Sequence, residues 1–523
     1  MKAISILNDV IGPVMRGPSS SHTAGSYYLA ALARSLLGEP PVEAEFTFDP
    51  AGSYARCYQA QASDLAFTAG LLGWSITDER FPRALALAPA EGLQARFRVE
   101  PLPGATHPNT VRIQLRGRAG GALEMTGQSV GGGAVETVSV EGWPVRLTGC
   151  CHETLVEVEA GSEGLARAAL EAGDDNLAAL LRFAGDGGVL LFAQRRNPLP
   201  VELRDRLAAL PGRPRLFQGA SLSFVKKGPQ LFDSAAGMVK LADRENLSPG
   251  QVAARYEAAL LGLSENEVVA ETARRVDIMV AGVRRGLGQD LPSMQLLRPT
   301  AARIYKADAD GRLAIGGFHT RAAVRAMAAM HVNCGKGVVC AAPTAGSAGV
   351  LPGVLTTLHE EKNVEREKLA LALLVAGAVG VIVAERATFA AEVAGCQVEV
   401  GAAGAMAAAA VIEVAGGTMR QACDAAAISF QNTMGTVCDL VQGIVEIPCH
   451  TRNAAAASAA FVNADLVLGG YHNPIPLDET IDAVYAVGLV MPAELRVTSL
   501  GGLAATPSAK ALPRLDGGGA SHP

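Results

Sequence analysis

The chain has 523 residues, 49% hydrophobic and 18% charged, with a formal net charge of −6 and a pI of about 5.9. That length exceeds a single hydrophobic core and implies about three domains, and the composition is that of a packed protein rather than a disordered one. With no basic run and no interleaving of aromatic and basic residues, nucleic acid is excluded as an expected partner.

The chain opens Met1-Lys2-Ala3-Ile4-Ser5, without the charged-then-apolar pattern or the cleavage site of a secretory signal. Residues 4–14 begin a strand or helix that runs into Arg16-Gly17-Pro18-Ser19-Ser20-Ser21-His22-Thr23-Ala24-Gly25. Residues 27–37 predict a helix stopped by Gly38, 42–48 a strand, 64–72 a helix and 111–115 another strand, so 1–147 read as an N-terminal α/β domain. Residues 148–218 predict a small α/β sandwich of regulatory type. Within it, 155–159 alternate as a strand, 163–181 carry helical periodicity, and 188–192 form a buried strand. Pro198, Pro200, Pro211 and Pro214 punctuate the connector.

From 228 to 511 alanine and glycine dominate. Long helical periods at 253–261, 265–285, 321–330 and 402–414 replace the strand signals, and small residues let helices approach closely. This stretch predicts a compact all-α domain, and the whole is a multidomain α+β protein. The longest apolar run, 369–384, is short for a membrane span and predicts a buried core helix, with no membrane partner. Residues 512–523 end in a glycine-rich stretch that predicts a disordered tail. Nine cysteines, an odd number in a long chain without a signal, are not a disulfide framework. The expected setting is a reducing cytoplasm.

Three of those cysteines stand in suggestive places: Cys396 in Ala394-Gly395-Cys396-Gln397, Cys438 in Val437-Cys438-Asp439, and Cys449 in Ile447-Pro448-Cys449-His450. Their spacing is not that of zinc fingers or ferredoxins, and free cysteines are commonly buried as small hydrophobes. Their neighbours favour a metal. Each sits beside Gly, Pro or a polar residue at a helix end or turn, and three ligands would leave one metal position open for substrate. The run Ser19-Ser20-Ser21-His22-Thr23 leading into a helix offers hydroxyls and backbone N–H groups to a carboxylate, unless it is only a generously capped helix. Thr344, Gly346 and Ser347 in Ala342-Pro343-Thr344-Ala345-Gly346-Ser347-Ala348-Gly349 form a similar loop. Arg452 and Asn453, just after Cys449, are placed to grip a carboxylate. Ser129-Val130-Gly131-Gly132-Gly133 lets backbone approach something closely but lacks the frame of a dinucleotide fingerprint.

In these stretches the chain resembles the iron–sulfur L-serine dehydratases (L-serine ammonia-lyases) over nearly its whole length. The likeness extends to Ile11-Gly12-Pro13-Val14, to His107-Pro108-Asn109-Thr110, to Ala394-Gly395-Cys396-Gln397-Val398-Glu399-Val400-Gly401, and to Leu500-Gly501-Gly502-Leu503-Ala504-Ala505-Thr506-Pro507. The resemblance implies a fused arrangement, with a domain also found in some phosphoglycerate dehydrogenases, an ACT-like unit and an all-α catalytic domain. It implies a [4Fe-4S] cluster held by Cys396, Cys438 and Cys449, and deamination of L-serine to pyruvate and ammonia in amino-acid degradation and gluconeogenesis. It also implies a homodimer and no pyridoxal phosphate.

Three departures stand out. Relatives carry a Gly-His-Gly-Thr-Asp segment whose His is the expected base, and here Ala60-Gln61-Ala62-Ser63-Asp64 puts Gln61 in its place. A Thr-Gly-Gly-Asp-like segment is replaced around Leu297-Arg298-Pro299-Thr300, and the C-terminal cysteine that plugs the site in some relatives is absent. Either His22 or another group then supplies the base. A sibling lyase acting on another β-substituted acid such as cysteine, or a non-catalytic amino-acid sensor, stays open as an alternative.

Overall fold

A computed structural model describes residues 3–172, 176–185, 188–288, 291 and 294–515. The chain divides into two units, one made of Met1–Ser20 with Gly228–Pro523, the other of Ser21–Lys227.

The Ser21–Lys227 unit holds two sheets. The first has the order Gln94–Val99, Pro41–Phe48, Thr110–Gly117, Ala122–Gly131, Ala134–Val140, with only the Pro41–Phe48/Gln94–Val99 pair parallel. Leu29 and Leu32 of the helix Gly25–Leu37 and Phe67 of Ser63–Leu72 bury against Phe46, Phe48, Ile113 and Met125. Gly38 ends the first of these helices in the left-handed conformation (φ 75°), as its sequence position implied. The Gly131-Gly132-Gly133 run is the tight turn between Ala122–Gly131 and Ala134–Val140, all three glycines at positive φ.

The second sheet runs Arg215–Gly219, His152–Val158, Gly188–Arg195, Leu177–Gly185, antiparallel throughout. With the helices Glu163–Glu171 and Val201–Ala208 it follows a β-α-β-β-α-β succession, the order of a small open-faced sandwich. Residues 163–181, expected as one helix, split into the helix Glu163–Glu171 and the strand Leu177–Gly185. Leucines and alanines favour the helix, and pairing of Leu181 with Phe192 and Phe183 with Leu190 overrides that local preference.

The other unit is helical. At its centre lie Arg366–Arg386 and Val400–Val414, ringed by Pro249–Leu261, Glu265–Gly286, Phe318–Cys334, Val350–Lys362, Met419–Thr433, Cys449–Leu468 and Leu477–Val490. Small residues allow this density: a Cβ on Gly401 would lie 2.8 Å from Thr433 Oγ1 on the adjacent helix. Arg366–Arg386 and Cys396–Val414 have the length and hydropathy of membrane spans, but 78% and 89% of their apolar windows are buried inside the unit, which makes them core helices.

Two features depart from an all-α domain confined to 228–511. Val14–Arg16 and Val338–Cys340 form a two-stranded antiparallel sheet. The first twenty residues, expected with the N-terminal domain, belong instead to the helical unit. Buried Glu257 anchors them, accepting from Ser5 Oγ at 2.5 Å, Ile6 N at 2.7 Å and Leu7 N at 2.9 Å, while Arg275 donates to the carbonyls of Leu7 and Ile11. Ile6 and Val10 fill the space left by Gly377 and Gly380. At the other end, Leu515 N donates to Gln295 O at 2.8 Å and Leu512 O accepts from Gln442 Nε2 at 2.7 Å, so the first residues of the expected tail are tied to the helical unit, with Pro513 and Arg514 exposed. Residues 516–523 lie outside the described residues.

Candidate active site

Cys396 opens a short 3-10 turn, Cys396–Val398, and Glu399 joins that turn to the helix Val400–Val414. The preceding Gly395 has φ 76°, and a Cβ there would lie 2.9 Å from Met491 Sδ and Thr436 O, so only glycine fits. Cys438 is fixed through its backbone, its N–H donating to Leu495 O and its carbonyl accepting from Val497 N, both at 2.8 Å. Cys449 is the first residue of the helix Cys449–Leu468. One ligand atom each from Cys396, Glu399 and Cys438 lies within 4.8 Å of the other two. Cys449 stands outside that tightest group. Burial, then the Cys396 and Glu399 charges, push its thiol well up, which puts it in the same electrostatic neighbourhood.

The cysteines are 1%, 2% and 3% exposed, and all nine cysteines of the chain are free thiols. A hydrogen bond from the Cys438 thiol, opposed by burial and helped by Arg452, lowers Cys396 to about 7. Cys438, as the donor, is pushed up by the same bond and then by burial. Glu399 is raised to about 8, by burial first and then by the charge of Cys396. The N-terminal ends of Val400–Val414 and Cys449–Leu468 both begin at this cluster, where unpaired N–H groups favour negative charge. Three thiols and a carboxylate, with no imidazole, make a donor set suited to iron and sulfide rather than to a hard divalent cation.

The loop 342–349 packs against this cluster. Thr344 Oγ1 donates to Glu399 Oε1 at 2.5 Å, and Ser347 Oγ closes the loop on Thr344 N at 3.3 Å. Gly346 faces the carboxylate directly, for a Cβ there would lie 2.6 Å from Glu399 Oε1. Asn453, fully buried, ties loop and cysteine helix together: its Nδ2 donates to Gly346 O at 2.9 Å and Cys449 O at 2.8 Å, and its Oδ1 accepts from Gly349 N at 3.0 Å. Both amide hydrogens are thus already engaged, which makes Asn453 a positioning group. Arg452 is similarly committed, Nη1 to Val437 O at 2.7 Å and Nη2 to Asp439 Oδ1 at 2.9 Å, clamping the residues on either side of Cys438. Behind Cys449, burial lowers His450 to about 3 and His331 to about 4, so both rings are neutral, with centroids 5.1 Å apart.

Ser19 and Ser20 belong to the same unit as the cysteines. Asn333 Nδ2 donates to Pro18 O at 3.2 Å and to Ala345 O at 3.0 Å, joining the serine run to the 342–349 loop. Ser21, His22 and Thr23 belong to the other unit. There His22 Nε2 meets Ser53 Oγ at 2.9 Å, Nδ1 meets Ser21 Oγ at 3.1 Å, and the ring stands edge-on to Tyr54; burial lowers it to about 4. Thr23 Oγ1 donates to the carbonyl of Gln61 at 2.8 Å, so the residue in place of the expected His is tied through its backbone to the neighbour of His22.

Two groups had no role in the sequence reading. Glu399 was signalled only by lying three residues after Cys396 beyond a turn. Asn333, inside the helix Phe318–Cys334, carries no local signal, because its partners come from two distant loops.

Comparison with known proteins gives a consistent picture. The family model described as serine dehydratase alpha chain matches residues 218–504. The chain is 38% identical over 290 residues to the probable L-serine dehydratase alpha chain of Bacillus subtilis, covering 55% of this chain and 97% of that one. It is 37% identical over 252 residues to the L-serine dehydratase alpha chain of Peptoniphilus asaccharolyticus, covering 48% of this chain and 86% of that one. A further 141 residues are 43% identical to the probable beta chain of the Bacillus subtilis enzyme, covering 27% of this chain and 62% of that one.

Proposed function

From the premise that the chain belongs to the L-serine dehydratase family and is a lyase, with alpha- and beta-type segments in one polypeptide, we propose that it deaminates L-serine to pyruvate and ammonia with a [4Fe-4S] cluster bound by Cys396, Cys438 and Cys449. The observation that carries this reading is the convergence of buried thiols on two helix N-termini beside a carboxylate. When bound, the cluster supplies an open iron as a Lewis acid toward the β-hydroxyl, otherwise a poor leaving group.

The protein's own groups do the rest. Arg452 and Asn453 hold Cys438, Cys449 and the 342–349 loop in register, so the cluster pocket is preorganised before substrate arrives. Thr344, Gly346 and Ser347, with Ser19 and Ser20 joined to them through Asn333, are read as the polar wall that receives the serine carboxylate and amine. Ser21 and Thr23 are read as substrate groups of the Ser21–Lys227 unit. His22 is read as the acceptor of the α-proton; burial lowers it to about 4, which keeps the ring neutral but makes it a weaker base than a free imidazole. The aminoacrylate released tautomerises and hydrolyses. Residues 148–218 are read as an ACT-like effector unit, which their β-α-β-β-α-β succession supports.

The test is anaerobic reconstitution followed by iron and sulfide analysis and a pyruvate assay with serine, threonine and cysteine. A full cluster and pyruvate from serine are expected, together with loss of the brown absorbance in Cys438→Ser. Unchanged iron content in that variant, or pyruvate from cysteine and none from serine, would overturn the assignment.

A further inference from the structure

We infer that Glu399 is a fourth protein donor to the metal centre, holding the substrate corner with a carboxylate oxygen until the carboxylate of an amino or hydroxy acid takes its place. The inference rests on the cluster assignment above and goes beyond it.

Four observations support it. The carboxylate of Glu399 belongs with Cys396 and Cys438 to the group whose ligand atoms lie within 4.8 Å of one another. It is held there from both sides of the chain: the turn Cys396–Val398 precedes it and the helix Val400–Val414 follows, so its Cα cannot drift from Cys396. Thr344 Oγ1 occupies only one of its lone-pair sites, and a carboxylate has about four to offer. Gly346 leaves the space beside Oε1 open, where any side chain would press on the carboxylate.

Burial distinguishes Glu399 from its companions. The three cysteines are almost wholly enclosed, whereas Glu399 keeps partial exposure. Its chemistry suits a replaceable ligand, since an oxygen donor on iron exchanges more readily than the soft thiolates.

The test is Mössbauer spectroscopy of the full chain reconstituted anaerobically with 57Fe, comparing the protein with Glu399→Gln and Glu399→Asp, each with its iron and sulfide content measured. In the unsubstituted protein without serine, one iron is expected to carry the signature of oxygen ligation, distinct from three thiolate-bound irons. In Glu399→Gln that signature shifts, or the unique iron is lost, while the other three irons stay. Glu399→Asp is expected to shift it less. Titrating glycolate into the unsubstituted protein should displace the carboxylate and change the same signature, a measurement that needs no variant to fold. Identical unique-iron spectra in the unsubstituted protein and in Glu399→Gln, or no response to glycolate, would overturn the inference while leaving the cluster assignment intact. A chain that takes up no iron and sulfide at all would overturn the cluster assignment itself.

Discussion

Gly346→Ala adds one methyl group opposite Glu399, and its effect follows from the surrounding geometry. The new Cβ would lie 2.6 Å from Oε1, 2.9 Å from Cδ and 3.2 Å from Oε2. Ordinary contact begins near 3.4 Å, so the carboxylate must retreat by about 0.8 Å. Gly346 has no positive φ, so the backbone itself adds no strain. Retreat stretches the hydrogen bond from Thr344, worth about 0.5–1.5 kcal/mol between neutral groups, and overpacks the enclosed site. A destabilisation of about 2 kcal/mol is therefore expected, with a fall in serine turnover of about 100-fold, because a sub-ångström displacement beside the reacting centre is felt strongly. The decisive assay is a thermal double-mutant cycle. In a Glu399→Ala background the methyl has nothing to strike, so its cost should vanish and leave a coupling of about 2 kcal/mol. Equal destabilisation in both backgrounds would refute the contact, whatever happens to activity.

Three further outcomes are expected. Arg452→Lys cannot reach both Val437 O and Asp439, and leaves the 3%-exposed Asp439 short of its partner; a loss of about 3 kcal/mol and reduced iron retention should follow, and a Tm unchanged by the substitution would deny the clamp. Gly395→Ala combines a φ of 76° with a backbone oxygen 2.9 Å from the new Cβ, so soluble yield and iron content should fall together, whereas wild-type yield would show that the turn tolerates a side chain. His331 is held down to about 4 by burial, so its stabilisation is complete above its unfolded value of 6.5 and is lost as pH falls from 6.5 toward 4, by about 3 kcal/mol at most. The difference in unfolding free energy between the unsubstituted protein and His331→Gln should therefore shrink over that range, and a constant difference would count against the ring's neutrality.

Much of the site was legible because its signals are local. The helix stop at Gly38, the long alanine-rich helix Val400–Val414 and the settings of the three cysteines all follow from short-range chemistry. What escaped depends on partners remote in sequence. The strand Leu177–Gly185 reads as helix until Gly188–Arg195 pairs with it. Arg452 and Asn453 read as substrate groups because guanidinium and amide do bind carboxylates. The fold shows both amide hydrogens of Asn453 engaged by Gly346 and Cys449, and two of the five N–H donors of Arg452 engaged by Val437 and Asp439. Glu399 was part of a quoted motif, yet nothing in its spacing says that Thr344, 55 positions earlier, will turn it toward Cys396 and Cys438.

The seating of Met1–Ser20 in the helical unit sets a timetable for biosynthesis. Arg16 emerges from the ribosome 320 residues ahead of Lys336, whose carbonyl it bonds, and at ordinary elongation rates that gap lasts about 15–60 s. Throughout it the apolar side chains of Ile6 and Val10 have no groove to enter, since Gly377 and Gly380 are translated later still. This early-made segment is therefore among the last to dock, and its arrival fastens a unit whose remaining pieces are all encoded on the far side of two hundred intervening residues.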